Sequence, residues 1–347
     1  MREVACMKVA LDAMGGDFAP AETVAGALLA AKELGVEIVL VGDRERIEER
    51  LAALGGAKGL AVSVVHAGGV IPMDEHHPVE ALRRTRDASV LVAADLVARG
   101  EASAMVSAGN TGAAMIAAIM RQKRIRGVDR PAIATVFPTT TGYCLLIDAG
   151  ANAECRPHHI LTFAQMGVAY AKSVMGIPQP TVALLSNGEE ETKGTELVIA
   201  AHELLRKLDS SFIGNIEGKD IPFGKADVVV TDGFTGNIVL KLAEGVGEAI
   251  VSMLKDSISK SLVCKIGALL AQPALKALAR RMDYSEYGGA LLLGVNGVTV
   301  IAHGRSRARA IKNAIRAAKS ACDGGVVDSI AAMTAARGYE GGNDGGT

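Results

Sequence analysis

Thr181–Leu197 (TVALLSNGEEETKGTEL) constrains the fold of this chain more than any other stretch. Its first residues, β-branched and aliphatic, read as a buried strand. The chain then turns through Ser186-Asn187-Gly188, crosses a polar loop and enters a helical pattern near Gly194. A strand that feeds a helix through Ser, Asn, Gly and Thr leaves unpaired backbone N–H groups at the helix start, where an anion is favoured. The same pattern recurs at Ala104–Ala113 (AMVSAGNTGA) and Asp227–Lys241 (DVVVTDGFTGNIVLK). Three such corners predict phosphate-friendly helix starts gathered at one edge of a sheet.

Elsewhere strand and helix patterns alternate. Lys8–Leu11, Glu37–Val41 and Ala61–His66 read as strands, separated by an Ala-rich helix ending near Leu34 and a charged helix over Arg44–Leu54. Ala132–Phe137 and Tyr143–Ile147 read as a hairpin, and Pro157–Met175 as a long helix. Ala290–Leu293 and Val298–Ala302 return to strand before a helical region, Arg307–Arg337. The predicted class is α/β: a three-layer α/β/α sandwich around a mostly parallel sheet. One globular unit is expected over 7–337, with a basic, amphipathic helical insertion at about 250–282 and a flexible Gly-rich tail at 338–347.

Net charge is −1, so nucleic acid is not an expected partner. The five cysteines (Cys6, Cys144, Cys155, Cys264, Cys322) form no C-x-x-C pair, which predicts reduced thiols and a cytosolic setting rather than disulfides or zinc. The first residues hold too few apolar side chains for a secretory signal, and no apolar run reaches the roughly 18 residues of a spanning helix.

Six motifs carry a family resemblance: LDAMGGD (Leu11–Asp17), SAGNTGA (Ser107–Ala113), DAGAN (Asp148–Asn152), SNGEEETKGTEL (Ser186–Leu197), TDGFTGN (Thr231–Asn237) and DYSEYGGALLLGVNG (Asp283–Gly297). In this order, from about Lys8 to Arg337, the chain strongly resembles the PlsX family, phosphate acyltransferases of bacterial phospholipid synthesis. The resemblance implies transfer of a fatty acyl group from acyl carrier protein to inorganic phosphate. It also implies a fold similar to isopropylmalate dehydrogenases and phosphotransacetylases, and a homodimer. The acyl phosphate would feed a membrane-bound glycerol-3-phosphate acyltransferase, which places the protein in the cytoplasm at the inner face of the cell membrane. No cofactor is implied, and no ligand spacing supports a metal. Acyl-CoA:phosphate transfer of the phosphotransacetylase type stays open. So does a nicotinamide-dependent decarboxylating dehydrogenase, although its arginine cluster and paired metal-binding aspartates cannot be placed. A non-catalytic membrane scaffold is a third alternative.

Acyl transfer to phosphate asks for few special groups. Phosphate is largely ionised near neutral pH, and a thioester carbonyl needs donors or a cation as it becomes an oxyanion. Lys193 is the leading catalytic candidate, with Asn187 and Asp232 beside it. Gly188 and Thr192 from the same loop are candidates for holding phosphate or substrate. Gly15, Gly16, Ser107, Asn110, Thr111 and Asn152 join them, as do Gly233, Thr235 and Asn237. Plainer readings compete: Lys193 as an exposed first-turn lysine, and Ser107, Asn110, Thr111 and Asp232 as helix caps. Glu189–Glu191 should face solvent or the helix start, since carboxylates repel phosphate. Gly15-Gly16 lacks the G-x-G-x-x-G spacing of a dinucleotide site. Cys155, close to His158 and His159, reads as a structural thiol, so direct attack without an acyl-enzyme is expected. His303, in a strand ending IAHGRS, has two readings, a place near the site and the plainer one of a satisfied surface histidine. Arg83, Arg84, Arg86 and the loop Arg121–Arg130 offer either a basic patch for an acidic carrier protein or a solvated face.

Leu254, Ile258, Leu262, Ile266 and Leu270 fall four apart on one helical stripe, among Lys255, Lys260, Lys265, Lys276, Arg280 and Arg281. Core, dimer packing and membrane contact would each suit such a stripe. The basic flanks favour an anionic membrane surface, with Leu262, Ile266, Leu269 and Leu270 as contacts. Gly267 and Pro273 are expected to bend or break this helix.

Overall fold

A computed structural model describes residues 7–208, 211–282, 286 and 288–337. The expected tail at 338–347 and residues 283–285 and 287 of the DYSEYGG motif lie outside the described residues. The strands are β1 (Lys8–Asp12), β2 (Glu37–Gly42), β3 (Val62–His66), β4 (Ala104–Ser107), β5 (Ala132–Pro138), β6 (Tyr143–Ile147), β7 (Val182–Ser186), β8 (Phe212–Glu217), β9 (Val228–Val230), β10 (Ala290–Leu293) and β11 (Val298–Ile301). They form one sheet in the order β3-β2-β1-β4-β11-β10-β5-β6-β9-β7-β8. Helices α1 (Ala21–Leu34), α2 (Arg44–Ala53), α3 (Pro78–Arg84), α4 (Ser89–Ala98), α5 (Thr111–Gln122) and α6 (Pro157–Ser173) belong to the first part of the chain. The rest are α7 (Glu196–Leu205), α8 (Gly233–Ser259), α9 (Leu262–Leu270), α10 (Gln272–Met282), α11 (Ala308–Asp323) and α12 (Val326–Arg337).

Two parallel blocks flank an antiparallel centre, where the strand sense reverses at three successive pairs. β5 and β6 are joined by the tight turn Thr139–Gly142, closed by Thr139 N–H to the Gly142 carbonyl at 3.0 Å, and strands so joined must be antiparallel. β10 is antiparallel to both its neighbours, β11 and β5. The other pairs are parallel. β1, β4 and β11 therefore run one way, and β6, β9 and β7 the other. This corrects the expectation of one shared edge: Ser107 closes a strand of the first sense, while Asn187 and Asp232 follow strands of the second.

Alternate residues of each strand face the two helical layers. On one face, Val9, Leu11, Ile147, Leu184 and Val230 pack with α1, α6, α7, α11 and α12 in the main core. On the other face α3, α4 and α5 cover the first half. The root of α8 covers the second, where Val239, Leu240 and Ala243 meet Phe137, Leu146 and Val229. The three-layer sandwich is as the sequence pattern predicts.

The helical insertion differs in its breaks. The chain leaves the helical path at Lys260–Ser261 and again at Ala271, whereas Gly267 stays inside α9. Pro273 sits in the first turn of α10, where its missing N–H is harmless. The single stripe is thus cut into three helices. α3 and β8 were not visible as elements in the sequence pattern.

Candidate active site

Between α5 and α8 the second face of the sheet is open. A cleft of about 1310 Å³ crosses the joint where the strand sense reverses. Ile133, Thr135 and Phe137 project from one side of β5 into it. Thr111 and Gly112, after β4, and His303, after β11, enter from strand ends of the first sense; Gly150, after β6, and Asn237, on α8, enter from the second. Convergence of corners occurs across this groove and not along an edge.

In the first corner most candidate donors are already engaged. The Ser107 hydroxyl is fully buried and donates to Asp12 Oδ2 at 2.7 Å, while accepting the Gly109 N–H at 3.1 Å. Burial raises the Asp12 carboxyl above its usual range, against the hydrogen bonds from Ser89 and Ser107. Gly15 is packed on Asp12 and Gly109 so closely that a Cβ would collide with both. Gly16 adopts a φ of 113° against the Gly304 carbonyl, so this glycine turn abuts the loop carrying His303. Asn110 caps α5 through Ala113 N–H at 3.0 Å, and its amide holds the Met73 and Glu75 carbonyls. Ser107 and Asn110 are thus engaged within the fold, as the capping reading expects. Thr111, exposed at the helix start, does line the cleft.

The second corner is organised by Asp148. Its buried carboxylate accepts from the backbone N–H groups of Ile133, Gly150, Ala151 and Asn152 and from Asn152 Nδ2. Asn152 Nδ2 also donates to the Pro131 carbonyl, so both hydrogens of this amide are engaged. Gly233 N–H bonds the Asn152 carbonyl at 2.8 Å. Asp232 caps α8, with Oδ1 accepting Thr235 N–H at 2.9 Å and Oδ2 the Thr235 hydroxyl at 2.8 Å. Both oxygens are engaged in the cap and Asp232 does not line the cleft; Asn152, Asp232, Gly233 and Thr235 build the helix start. Asn237 lies beyond them in the cleft.

The third corner stands apart. Asn187, Thr192 and Lys193 are exposed, Gly188 is buried beneath the Lys193 side chain, and none of the four lines the cleft. α7 begins at Glu196, capped by Thr195. The acidic run is neutralised locally: Glu189 pairs with Lys225 at 2.7 Å and Glu191 with Arg206 at 3.2 Å.

The cleft has two cations of its own, Lys241 and Lys255, and sequence reasoning passed over Lys241. Its signal was helical spacing: Asn237, Lys241, Glu244 and Glu248 share one face of α8. His303 also lines the cleft. Its Nδ1 accepts the Arg305 N–H at 3.1 Å, which places the proton of the neutral ring on Nε2 as a donor. Burial, and then the Lys241 charge, hold the imidazole below its ordinary range. Lys241, His303 and the start of α5 bring donors to the cleft, with Glu244 and Glu248 beside Lys241, while Ile133, Phe137, Leu240 and Val251 bring carbon.

The Cys155 thiol, beside the second corner, is not activated. Cys155 Sγ sits 3.6 Å from the Asn152 carbonyl, and burial pushes its pKa up to about 11. His158 and His159 instead point Nε2 at Asp129 Oδ2, each at 3.4 Å. This trio has the spacing of a metal site. However, His159 Nδ1 accepts the Arg156 N–H, so Nε2 carries the proton and donates to the carboxylate. The donor set suits a loop clasp better than a cation.

This architecture is shared by the phosphotransacetylases. One from Streptococcus pyogenes matches with a TM-score of 0.63 at 18% identity, over 91% of this chain and 94% of that chain, a likeness of fold alone. The chain itself belongs to the family described as fatty acid synthesis protein, whose model matches residues 7–329. It is 53% identical over 324 residues to a phosphate acyltransferase of Pelotomaculum thermopropionicum, covering 93% of this chain and 94% of the relative. It is 54% identical over 313 residues to a phosphate acyltransferase of Heliobacterium modesticaldum, covering 90% and 93%. The resemblance carried by the six motifs is borne out, and the protein is an acyltransferase.

Proposed function

We propose that the protein transfers a fatty acyl group from acyl carrier protein to inorganic phosphate, making acyl phosphate for glycerophospholipid synthesis. The observation that supports this is the mixed lining of the cleft: Lys241, His303 and the start of α5 for an oxyanion, and Ile133, Phe137, Leu240 and Val251 for an acyl chain. Phosphate sits at the start of α5 beside Lys241. One of its oxygens attacks the thioester carbonyl, and the developing oxyanion takes a hydrogen bond from His303 Nε2–H. The C–S bond then breaks, the electron pair leaves on sulfur, and solvent protonates the thiolate. No acyl-enzyme forms.

The basic side chains Arg83 and Arg84 lie on α3, whose Pro78 abuts Gly112 at the cleft wall. An acidic carrier docked there would present its thioester to the cleft. The outward stripe of α8, with Phe234, Ile238, Leu242, Ile250 and Met253 exposed, suits a second copy of the chain. On α9, Leu262 and Leu270 are 77% and 79% exposed, with Ile266 and Leu269 beside them. With the neighbouring lysines, this surface suits an anionic membrane at the inner face of the cell membrane. There a membrane-bound glycerol-3-phosphate acyltransferase could take up the product. Among the described residues no helix is long and apolar enough to cross a membrane.

The test mixes the protein with phosphate and either acyl carrier protein or coenzyme A thioesters, and follows acyl phosphate by hydroxylamine trapping. Product from the carrier thioester is expected; product from coenzyme A alone would make the phosphotransacetylase reading the better one. Flotation with anionic vesicles, abolished in Leu262→Glu with Leu270→Glu, tests the membrane contact. Light scattering tests the dimer.

A further inference from the structure

α8 presents two adjacent lines to the cleft. At 3.6 residues per turn, Asn237, Lys241, Glu244 and Glu248 fall on one line and Leu240, Ala243, Gly247 and Val251 on the next. All eight line the cavity. The first line faces the loop after β11: Lys241 and Glu244 act on His303, and Glu248 meets Arg305 at 3.9 Å. The second faces carbon. Leu240 and Ala243 pack on the cluster containing Phe137 and Ile221. Beyond them Gly247 leaves the wall without a side chain, and Val251 and Leu278 follow, with Ser252 and Lys255 beside them. From Leu240 to Val251 the line is about 16 Å long.

We propose that this second line is the channel for the donor's linear acyl chain, and that Gly247 sets how long a chain it admits. The inference rests on the acyl-transfer reading above and deepens it. A small acyl group would leave most of a cavity of about 1310 Å³ unfilled. Water filling it would find few hydrogen-bond partners along the carbon wall. A straight chain lies along the line with its carbonyl beside Lys241 and His303 and its methyl end towards Val251 and Leu278. Each methylene so buried is worth about fourfold in affinity. A side chain at 247 would close the channel part-way without touching the reacting end.

The experiment measures kcat/KM for a series of thioesters from butyryl to palmitoyl with the wild type, Gly247→Leu and Gly245→Leu. Gly245 is on the same helix, and a Cβ there meets open space, so its variant controls for helix stiffening. Gly247→Leu is expected to leave butyryl transfer within about twofold and to lose palmitoyl transfer by at least about 60-fold, three methylenes' worth. Gly245→Leu is expected to keep the wild-type length profile. An equal loss for all lengths, an unchanged profile, or the same profile in both variants would overturn the assignment. If the wild type transferred no acyl group of any length to phosphate, the proposed function itself would fall, a separate result.

Discussion

Replacing Lys241 by Met tests which corner holds the chemistry. Two unit charges about 4 Å apart are worth about 1 kcal/mol in water and about 4 kcal/mol at an effective dielectric of 20. Lys241 belongs between these limits, because its side chain is 56% exposed yet lines a cleft, and Glu244 at 3.3 Å takes part of its field. About 2–3 kcal/mol is the expected loss, or about 30- to 150-fold in kcat/KM. Lys193→Met serves as the comparison. Lys193 is exposed and away from the cleft, so its removal should cost under about fivefold, the most that an exposed charge is commonly worth.

Initial rates at varied phosphate, with acyl phosphate trapped as hydroxamate, separate the two residues. Circular dichroism confirms that both variants fold. The Lys241→Met loss should appear first in KM for phosphate and should shrink at high ionic strength, where the wild type is itself screened. A collapse in Lys193→Met with Lys241→Met near the wild type would refute the cleft. The reacting centre would then lie at the loop after β7.

Asp232→Ala removes a helix cap and should lower stability by about 1 kcal/mol, a shift of about 1–2 °C in Tm for a chain of this size, with activity retained; a loss of 100-fold or more would identify a base instead. Cys155→Ser should keep kcat within about twofold, and no acyl thioester on the protein should be trapped by acid quench, because a thiol with a pKa of about 11 stays protonated. The neutral His303 ring is the required form, and Lys241, Glu244, Arg305 and Asp17 surround it. Activity should therefore fall on the acid side only as pH drops through a value below the ordinary 6.5, and Lys241→Met should move that limb upward. A limb above 6.5 would contradict the lowered pKa. His159 is likewise held low, by burial first and then by His158. The unfolded chain binds its proton at higher pH, so thermal stability should decline as pH falls below about 6.5, less steeply in His159→Gln.

The layered fold was legible because it rests on local patterns: apolar strands at Lys8, Ala104, Thr181 and Asp227, each followed by Gly, Asn or Thr and a helix. The hairpin over Ala132–Ile147 was legible too, but its consequence was not. That hairpin sends β6, and with it β9, β7 and β8, the opposite way to β1 and β4, and no corner carries a mark of its direction. The identity of free donors was equally hidden. Ser107 is spent on Asp12, 95 residues away in sequence, and Asn110 on carbonyls 35 and 37 residues away. Capping residues and phosphate binders are the same residue types, so only tertiary contact separates them. Lys241 escaped notice because it lies eight residues into a helix, at the far end of the Asp227–Lys241 pattern and not in its loop. Its role came from the face it shares with Asn237 and Glu244.

α8 joins the features that the sequence left separate. Only Gly233 and Gly236 of its residues are buried. Any side chain at 236 would collide with the Asp148 carbonyl, so the helix root is fixed by the same Asp148 cluster that shapes the second corner. From that root α8 runs about 40 Å, well past the sheet. Its apolar residues fall on opposite sides: Leu240, Ala243 and Val251 towards the cleft, Ile238, Leu242 and Met253 outward. A helix that served only as a cleft wall would be polar on its far side. One that served only as an interface would have no reason for a gap at Gly247. The two-sided pattern ties what covers the outer stripe to the width of the channel, because a rigid helix held at one end cannot shift one face without the other.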